Sequence, residues 1–177
     1  MRKKLETLIP ELQLIHDPEL REKTAFVWVE AMKRGGWTIK DLAELPFTLL
    51  LPQTDVNLID HTRAVTLSAL RIAEVITREY KGKIKIQRDY LLSGALLHDV
   101  GKLFEYKKEK GKFVKSREGD LLRHPISGAA FAFKYALPQE VIHIIAAHSK
   151  EGDGSRRTIE AIIVNHSDFV NFDVFKR

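Results

Sequence analysis

The sequence predicts an all-α bundle, with a small N-terminal helical extension at residues 1–50 and a larger helical unit at residues 51–177. Three observations predict it. Apolar residues recur at spacings of three and four along most of the chain. The periodic segments are bounded by helix punctuation such as Asp17-Pro18, Gly35-Gly36 and Pro138. Of the seven histidines, four (His61, His98, His124 and His148) stand where an apolar stripe meets polar sequence. Each of these histidines is thus expected at the end of an apolar helix face.

In the extension, Leu5, Leu8, Ile9, Leu12 and Ile15 have helical spacing, with Pro10 as a kink or boundary. Asp17 is expected to cap a second helix that has Pro18 in its first turn and ends at Gly35-Gly36. TIKDLAELP reads as a short helix stopping at Pro46, and Trp28 and Trp37 read as core residues. No chemical constellation occurs in this region, so its expected role is packing against the bundle or a partner subunit.

Leu49–Leu51, between prolines, reads as a buried connector. Thr54 or Asp55 then caps a long helix reaching about Tyr80, with His61, Val65, Ala69, Ile72 and Ile76 on one stripe. Asp89 is expected to cap the helix containing LLSGALLHDVGKL, residues 91–103, which is apolar on nearly every side and must be buried. It delivers His98 and Asp99 at its inner end, with Gly101 placed to end it. A buried carboxylate needs a cation or a hydrogen-bond network. The pair is therefore either a hydrogen-bonded closure of a helix end or part of a metal site.

The stretch from Phe104 to Arg123 is lysine-rich, with a hairpin turn at Lys110-Gly111-Lys112. His124-Pro125 opens a helix with Ala129, Ala130 and Phe133 inward; the positive end of its dipole favours neutral imidazole at His124. Pro138 starts the next helix, where Val141, Ile144, Ile145 and His148 share a stripe. SKEGDGSRR, residues 149–157, has the composition of a flexible loop, basic at its end. The last helix, about Thr158 to Phe175, has one face with Ile159, Ile162, His166 and Val170 and another with Ala161, Val164 and Asp168. His16, His143 and His166 read as surface or packing residues.

Composition narrows the class. The 177 residues are 44% hydrophobic and 30% charged, which fits one soluble domain. No apolar run approaches the roughly 20 residues a membrane span needs, and MRKKLETLIPEL lacks the apolar core of a signal peptide. With no cysteine there is neither a disulfide framework nor a thiolate metal site, and cytoplasmic residence is expected. The net charge of +5 suits an anionic substrate or nucleic acid, and equally an ordinary basic protein.

The set His61, His98-Asp99, His124, His148 and Asp168 resembles the HD-domain metal-dependent phosphohydrolases. The stretches HDVGKLFEY, REGDLLRHPISG, HSKEGDGS and EAIIVNHSD are most similar to the HD domains of bacterial 3′-to-5′ exoribonucleases. The resemblance implies a bundle with the metal site at its centre. It implies one divalent ion on His61, His98, Asp99 and Asp168, and a second completed by His124 and His148, with Asp99 bridging. Such ligands accept Mn, Fe, Ni, Co, Zn or Mg. The implied reaction is hydrolysis of a phosphate ester of a nucleotide or short oligonucleotide by a metal-bound hydroxide. Asp99 and Lys102 are the expected catalytic groups, and Lys102, Arg123, Lys150, Arg156 and Arg157 the expected phosphate contacts. Ala147 and Asn165 stand where many relatives have histidine, leaving the second ion fewer protein ligands. Two other readings are a diiron oxygenase of the same fold and a nucleotide-sensing protein without turnover. The basic loop argues against the first, and the intact ligand set against the second.

Overall fold

The computed structural model describes residues 1–176, and the architecture is the expected helical bundle. Helix α1 (Arg2–Leu8) leads through a 3-10 turn (Pro10–Leu14) to α2 (Pro18–Gly35) and the short α3 (Ile39–Glu44). The bundle proper follows with α4 (Leu58–Glu79), α5 (Arg88–Leu97) and α6 (Lys102–Glu105). After it come strands β1 (Tyr106–Glu109) and β2 (Lys112–Lys115), then α7 (Arg117–Leu121), α8 (His124–Lys134), α9 (Gln139–Ala147) and α10 (Ile159–Asp173).

Local chemistry explains the boundaries. The Asp17 carboxylate accepts from the N–H groups of Glu19 and Leu20, and Gly36 closes α2 in the left-handed conformation at φ 72°. Thr38 and Asp41 form a reciprocal capping box on α3. The two strands are an antiparallel pair joined by Lys110-Gly111, both at positive φ (49° and 78°), as a tight hairpin requires.

Helix α5 is the central member, with every residue from Leu91 to Leu97 buried. It packs against α2, α4, α9 and α10, and Gly94 lets α9 approach so closely that a Cβ there would meet Ile144 at 2.6 Å. The extension shares the bundle's core: Leu5, Leu12, Trp28 and Met32 belong to one apolar cluster with Leu92, Leu96 and Val100. Trp28 Nε1 donates to the Leu96 carbonyl at 2.9 Å and Trp37 Nε1 to the Leu103 carbonyl at 2.7 Å. Trp28 thereby satisfies one of the carbonyls orphaned at the end of α5.

Several sequence expectations are corrected. Asn57, rather than Thr54 or Asp55, caps α4, its side chain accepting from Asp60 N. Its buried stripe runs His61, Val65, Ala69, Ala73, while Ile72 is at the surface. Asp89 does not cap α5; its carboxylate accepts the backbone N–H groups of His16 and Asp17 at 3.1 and 2.8 Å, tying the extension to the helix. On α8 the inward residues are Ala129, Phe131 and Ala132, whereas Ala130 is exposed and Phe133 is 70% exposed. The connector is only partly covered: Leu49 and Leu51 are half-buried and Leu50 is 73% exposed. On α10 the face with Ile159, Ile162, His166 and Val170 looks outward.

Gly101 has φ −64° and is not a left-handed cap. It is a contact glycine: a Cβ there would lie 2.1 Å from the His124 carbonyl oxygen. The missing side chain lets the first turn of α8 close on the end of the His-Asp segment.

Candidate metal centre

The site is built from helix ends. His98 and His148 occupy equivalent places, immediately after α5 and α9. Each folds its Nδ1–H back onto the carbonyl three residues earlier, His98 onto Ala95 at 2.7 Å and His148 onto Ile145 at 2.8 Å. The helix end gains a donor for an orphan carbonyl, and the imidazole is fixed with Nε2 pointing inward. His124, in the first turn of α8, is held otherwise: its Nδ1–H donates to Glu105 Oε2 at 2.8 Å and its backbone N–H to the same oxygen at 2.7 Å. His61 comes from the first turn of α4, its ring 4.6 Å from Phe47, and Asp168 from α10.

Asp99 lies among these groups with its two oxygens divided. Oδ2 is 3.5 Å from His61 Nε2 and 3.3 Å from His98 Nε2. Oδ1 is 3.3 Å from His124 Nε2 and 3.8 Å from His148 Nε2. Asp168 Oδ1 joins the first group, 3.0 Å from His61 Nε2 and 3.8 Å from His98 Nε2. Ligands held about 2.0–2.2 Å from one ion stand roughly 3 Å apart. The donor set fits a divalent metal: His61, His98 and Asp168 offer atoms within 4.8 Å of one another, as do His98, Asp99 and His148.

The electrostatics favour ligation. Burial alone would keep the Asp99 carboxyl protonated, yet the Lys102 ammonium and the His98 imidazole hold it well below the usual carboxylate range. Burial likewise opposes charge on Asp168, but the hydrogen bond from His61 and the charge of His98 bring its pKa to about 2. Burial lowers His61, and takes His148 down to about 3, so both rings are neutral as metal binding requires. His98 is opposed by burial but raised overall by Asp99 and Asp168.

Above the ligands is a cavity of about 520 Å³ whose wall includes His61, Asp99, Lys102, Glu105, His124 and Asp168. Lys102 is buried rather than solvent-facing; Nζ donates to Asp99 Oδ2 at 2.6 Å and to the Phe47 carbonyl at 2.5 Å. Its third N–H is left for the cavity. Arg123 and Lys150 line the wall, although the Arg123 guanidinium is bracketed by Glu105 at 3.1 Å and Glu151 at 3.2 Å. The expected phosphate contacts Arg156 and Arg157 are not in that wall. Arg156 is exposed, and Arg157 donates to the Ala147 carbonyl at 2.7 Å, the Ser149 carbonyl at 2.9 Å and Asp153 at 2.7 Å. The end of α9 needs a donor for its free carbonyls, and Arg157 meets that need before any ligand can.

The sequence reading missed Glu105 and the apolar part of the wall. Glu105 stands six residues after Asp99 in a lysine-rich setting, and only the close approach of α6 to α8 brings it to His124. Its carboxyl, disfavoured by burial, is held low by the two His124 hydrogen bonds and Arg123. Asn165, read as a missing histidine, donates from Nδ2 to the His148 carbonyl at 2.7 Å and so steadies the residue beside the site.

The HD-domain profile matches residues 58–171, the segment that supplies all six clustered residues. The chain belongs to the HD-domain family. HD domains are metal-dependent phosphohydrolases, and this HD protein is an enzyme of that class. It is 33% identical over 174 residues to the dihydroneopterin 2′,3′-cyclic phosphate phosphodiesterase of Methanocaldococcus jannaschii, covering 93% of this chain and 67% of that one. It is also 29% identical over 170 residues to ribonuclease Y of Desulforamulus reducens, covering 95% of this chain and 28% of the relative. A third similarity, 31% over 108 residues, is to ribonuclease Y of Rubrobacter xylanophilus, covering 61% of this chain and 18% of that one. No solved structure matches significantly. Among the described residues no helix is long and apolar enough to cross a membrane.

Proposed function

We propose that this HD protein hydrolyses a phosphodiester of a nucleotide or nucleotide-like compound with the help of two divalent ions, both of which Asp99 would help to hold. The division of the Asp99 oxygens carries the reading. Each oxygen has its own pair of imidazoles, His61 and His98 on one side and His124 and His148 on the other. A single-ion site would have no use for the second pair. Bound ions at such a pair polarise the phosphate, supply a nucleophile at neutral pH and offset charge on the attacking and leaving oxygens.

The protein's own groups hold and orient. His61, His98, Asp99 and Asp168 would hold the first ion, and His124, His148 and Asp99 the second. Lys102 fixes Asp99 through Oδ2 and offers its remaining N–H to a phosphate oxygen as a point charge. Lys150 and Arg123, at the cavity wall, add positive potential for an anionic substrate. Arg156 and Arg157 act, at most, from outside the wall.

Support for a cyclic ester comes from the archaeal relative, whose name states action on a pterin 2′,3′-cyclic phosphate. The ribonuclease Y relatives keep short oligonucleotides in the substrate range, although this chain spans less than a third of their length. We place the enzyme among cytoplasmic metabolites, in keeping with a chain free of cysteine. Residues 51–177 would carry the chemistry, with residues 1–50 completing their core.

The test is elemental analysis of protein purified without added metal, followed by assays on cyclic nucleotides, linear diesters and monoesters. Metal-dependent cleavage of diesters with two ions per chain is expected. Stable binding of one ion and no metal-dependent cleavage of any ester would overturn the proposal, and metal-dependent oxygen consumption would move the site to the oxygenase class.

A further inference from the structure

The cavity wall changes character from one side to the other. Its apolar members are Leu49, Leu50 and Leu51 from the connector that follows Phe47, whose ring lies against His61, and Phe169 and Phe172, which follow Asp168 on α10 with Lys176 beside them. Around His124 it is polar and charged, with Arg123, Ser149 and Lys150 beside the acidic Glu105 and Glu151. Chain continuity ties Phe169 to Asp168 and Arg123 to His124.

The apolar side is a built surface. Leu50 is 73% exposed, and within the fold nothing covers it. Its segment is flanked by Pro46 and Pro52, anchored by the fully buried Phe47, and turned by a Leu50 N–H bond to Thr48 Oγ1 at 3.1 Å. Lys102 pins the same segment to the site through the Phe47 carbonyl. In the same cavity wall, the Phe172 ring has Phe47 edge-on at 5.8 Å and the Lys176 ammonium 4.8 Å from its centroid. A sugar phosphate has no apolar surface to place there, whereas an aromatic ring stacks on such side chains. The volume of about 520 Å³ is that of a pocket for one small ligand.

We infer that Leu50 and Phe172 form a clamp for a flat heterocycle of purine or pterin size, and that the substrate lies with its ring on the His61–Asp168 side and its charged end toward His124 and Lys150. The inference rests on the phosphohydrolase reading for the reaction, though not for the binding of the ring. These two residues determine specificity by contact with the non-reacting part of the substrate.

The test compares 2′,3′-cyclic AMP with ribose 2′,3′-cyclic phosphate, the same ester without its base. In Leu50→Ser and Phe172→Ala, the ratio of kcat/KM for the first over the second should fall about tenfold, chiefly through KM. Leu50→Ser alters an exposed side chain and keeps the test sound should Phe172→Ala fold poorly. An unchanged ratio in Leu50→Ser overturns the clamp. If the wild-type enzyme cleaves neither ester, the phosphohydrolase reading has failed, and calorimetry with adenosine 3′-phosphate decides the clamp separately. Binding to wild type that is lost in both variants supports it; equal binding to all three, or none to wild type, overturns it.

Discussion

Glu105 accepts both the backbone N–H and the Nδ1–H of His124, at 2.7 and 2.8 Å, through the same carboxylate oxygen. One contact therefore sets the start of α8 and the orientation of an imidazole whose Nε2 faces Asp99 Oδ1. Carboxylates behind ligating histidines fix the tautomer and raise basicity.

Replacing Glu105 with Gln should weaken the ion on the His124 side by about 10–100-fold, the usual cost of losing such a partner. Metal titration by calorimetry is the measurement. One binding step should weaken while the other is unchanged; identical affinities for both steps would show that Glu105 only closes the helix.

Asp99→Asn takes the negative charge from the carboxylate whose oxygens face both histidine pairs. Elemental analysis should find both ions depleted, whereas His124→Ala together with His148→Ala should deplete one. Retention of two ions by the double variant would assign those histidines to packing alone.

The metal-free protein has a defined proton pattern. Burial, reinforced by the charge on His98, brings His148 to about 3, while an unfolded chain takes up that proton near the ordinary value of 6.5. As the pH falls from 6.5 toward 3, His148 therefore disfavours the folded state increasingly. His98 has the opposite sign: its raised pKa favours the fold below 6.5, and this contribution is lost as the pH rises through the raised value. Imidazole nitrogen shifts at pH 5 should show His148 neutral and His98 protonated. A protonated His148 at pH 5 would contradict the buried placement.

Gly101→Ala puts a Cβ against the His124 carbonyl, where only 2.1 Å is available. Separation of α8 from the His-Asp turn should cost about 1–3 kcal/mol, the range for overpacking, and should weaken the second ion. Urea midpoints and metal titration check the two effects independently.

Trp28→Ala should destabilise the whole chain by about 3–5 kcal/mol, because it empties a fully buried site and frees the Leu96 carbonyl. A single shifted transition in far- and near-ultraviolet dichroism is expected. Two separate transitions would make residues 1–50 an independent unit.

The helices were legible in local spacing, and the six ligand candidates in that spacing together with the resemblance to HD-domain sequences. A continuous apolar run such as Leu91–Leu97 must be buried, and a histidine following it must emerge at an inner end. The cap at Asp17, made by its immediate neighbours, was legible for the same reason. The tertiary structure decided what depends on partners far along the chain. Asp89 reads as a cap but binds the backbone at His16 and Asp17. Gly101 reads as a helix stop but serves a contact with α8, and Arg157 reads as a phosphate ligand but holds carbonyls behind α9. Glu105 carried no local signal, since its partner His124 is 19 residues away. Hydrogen-bonding groups at a helix end take whichever donor or acceptor the packing brings first, and packing between segments distant in sequence is set by the fold rather than by periodicity.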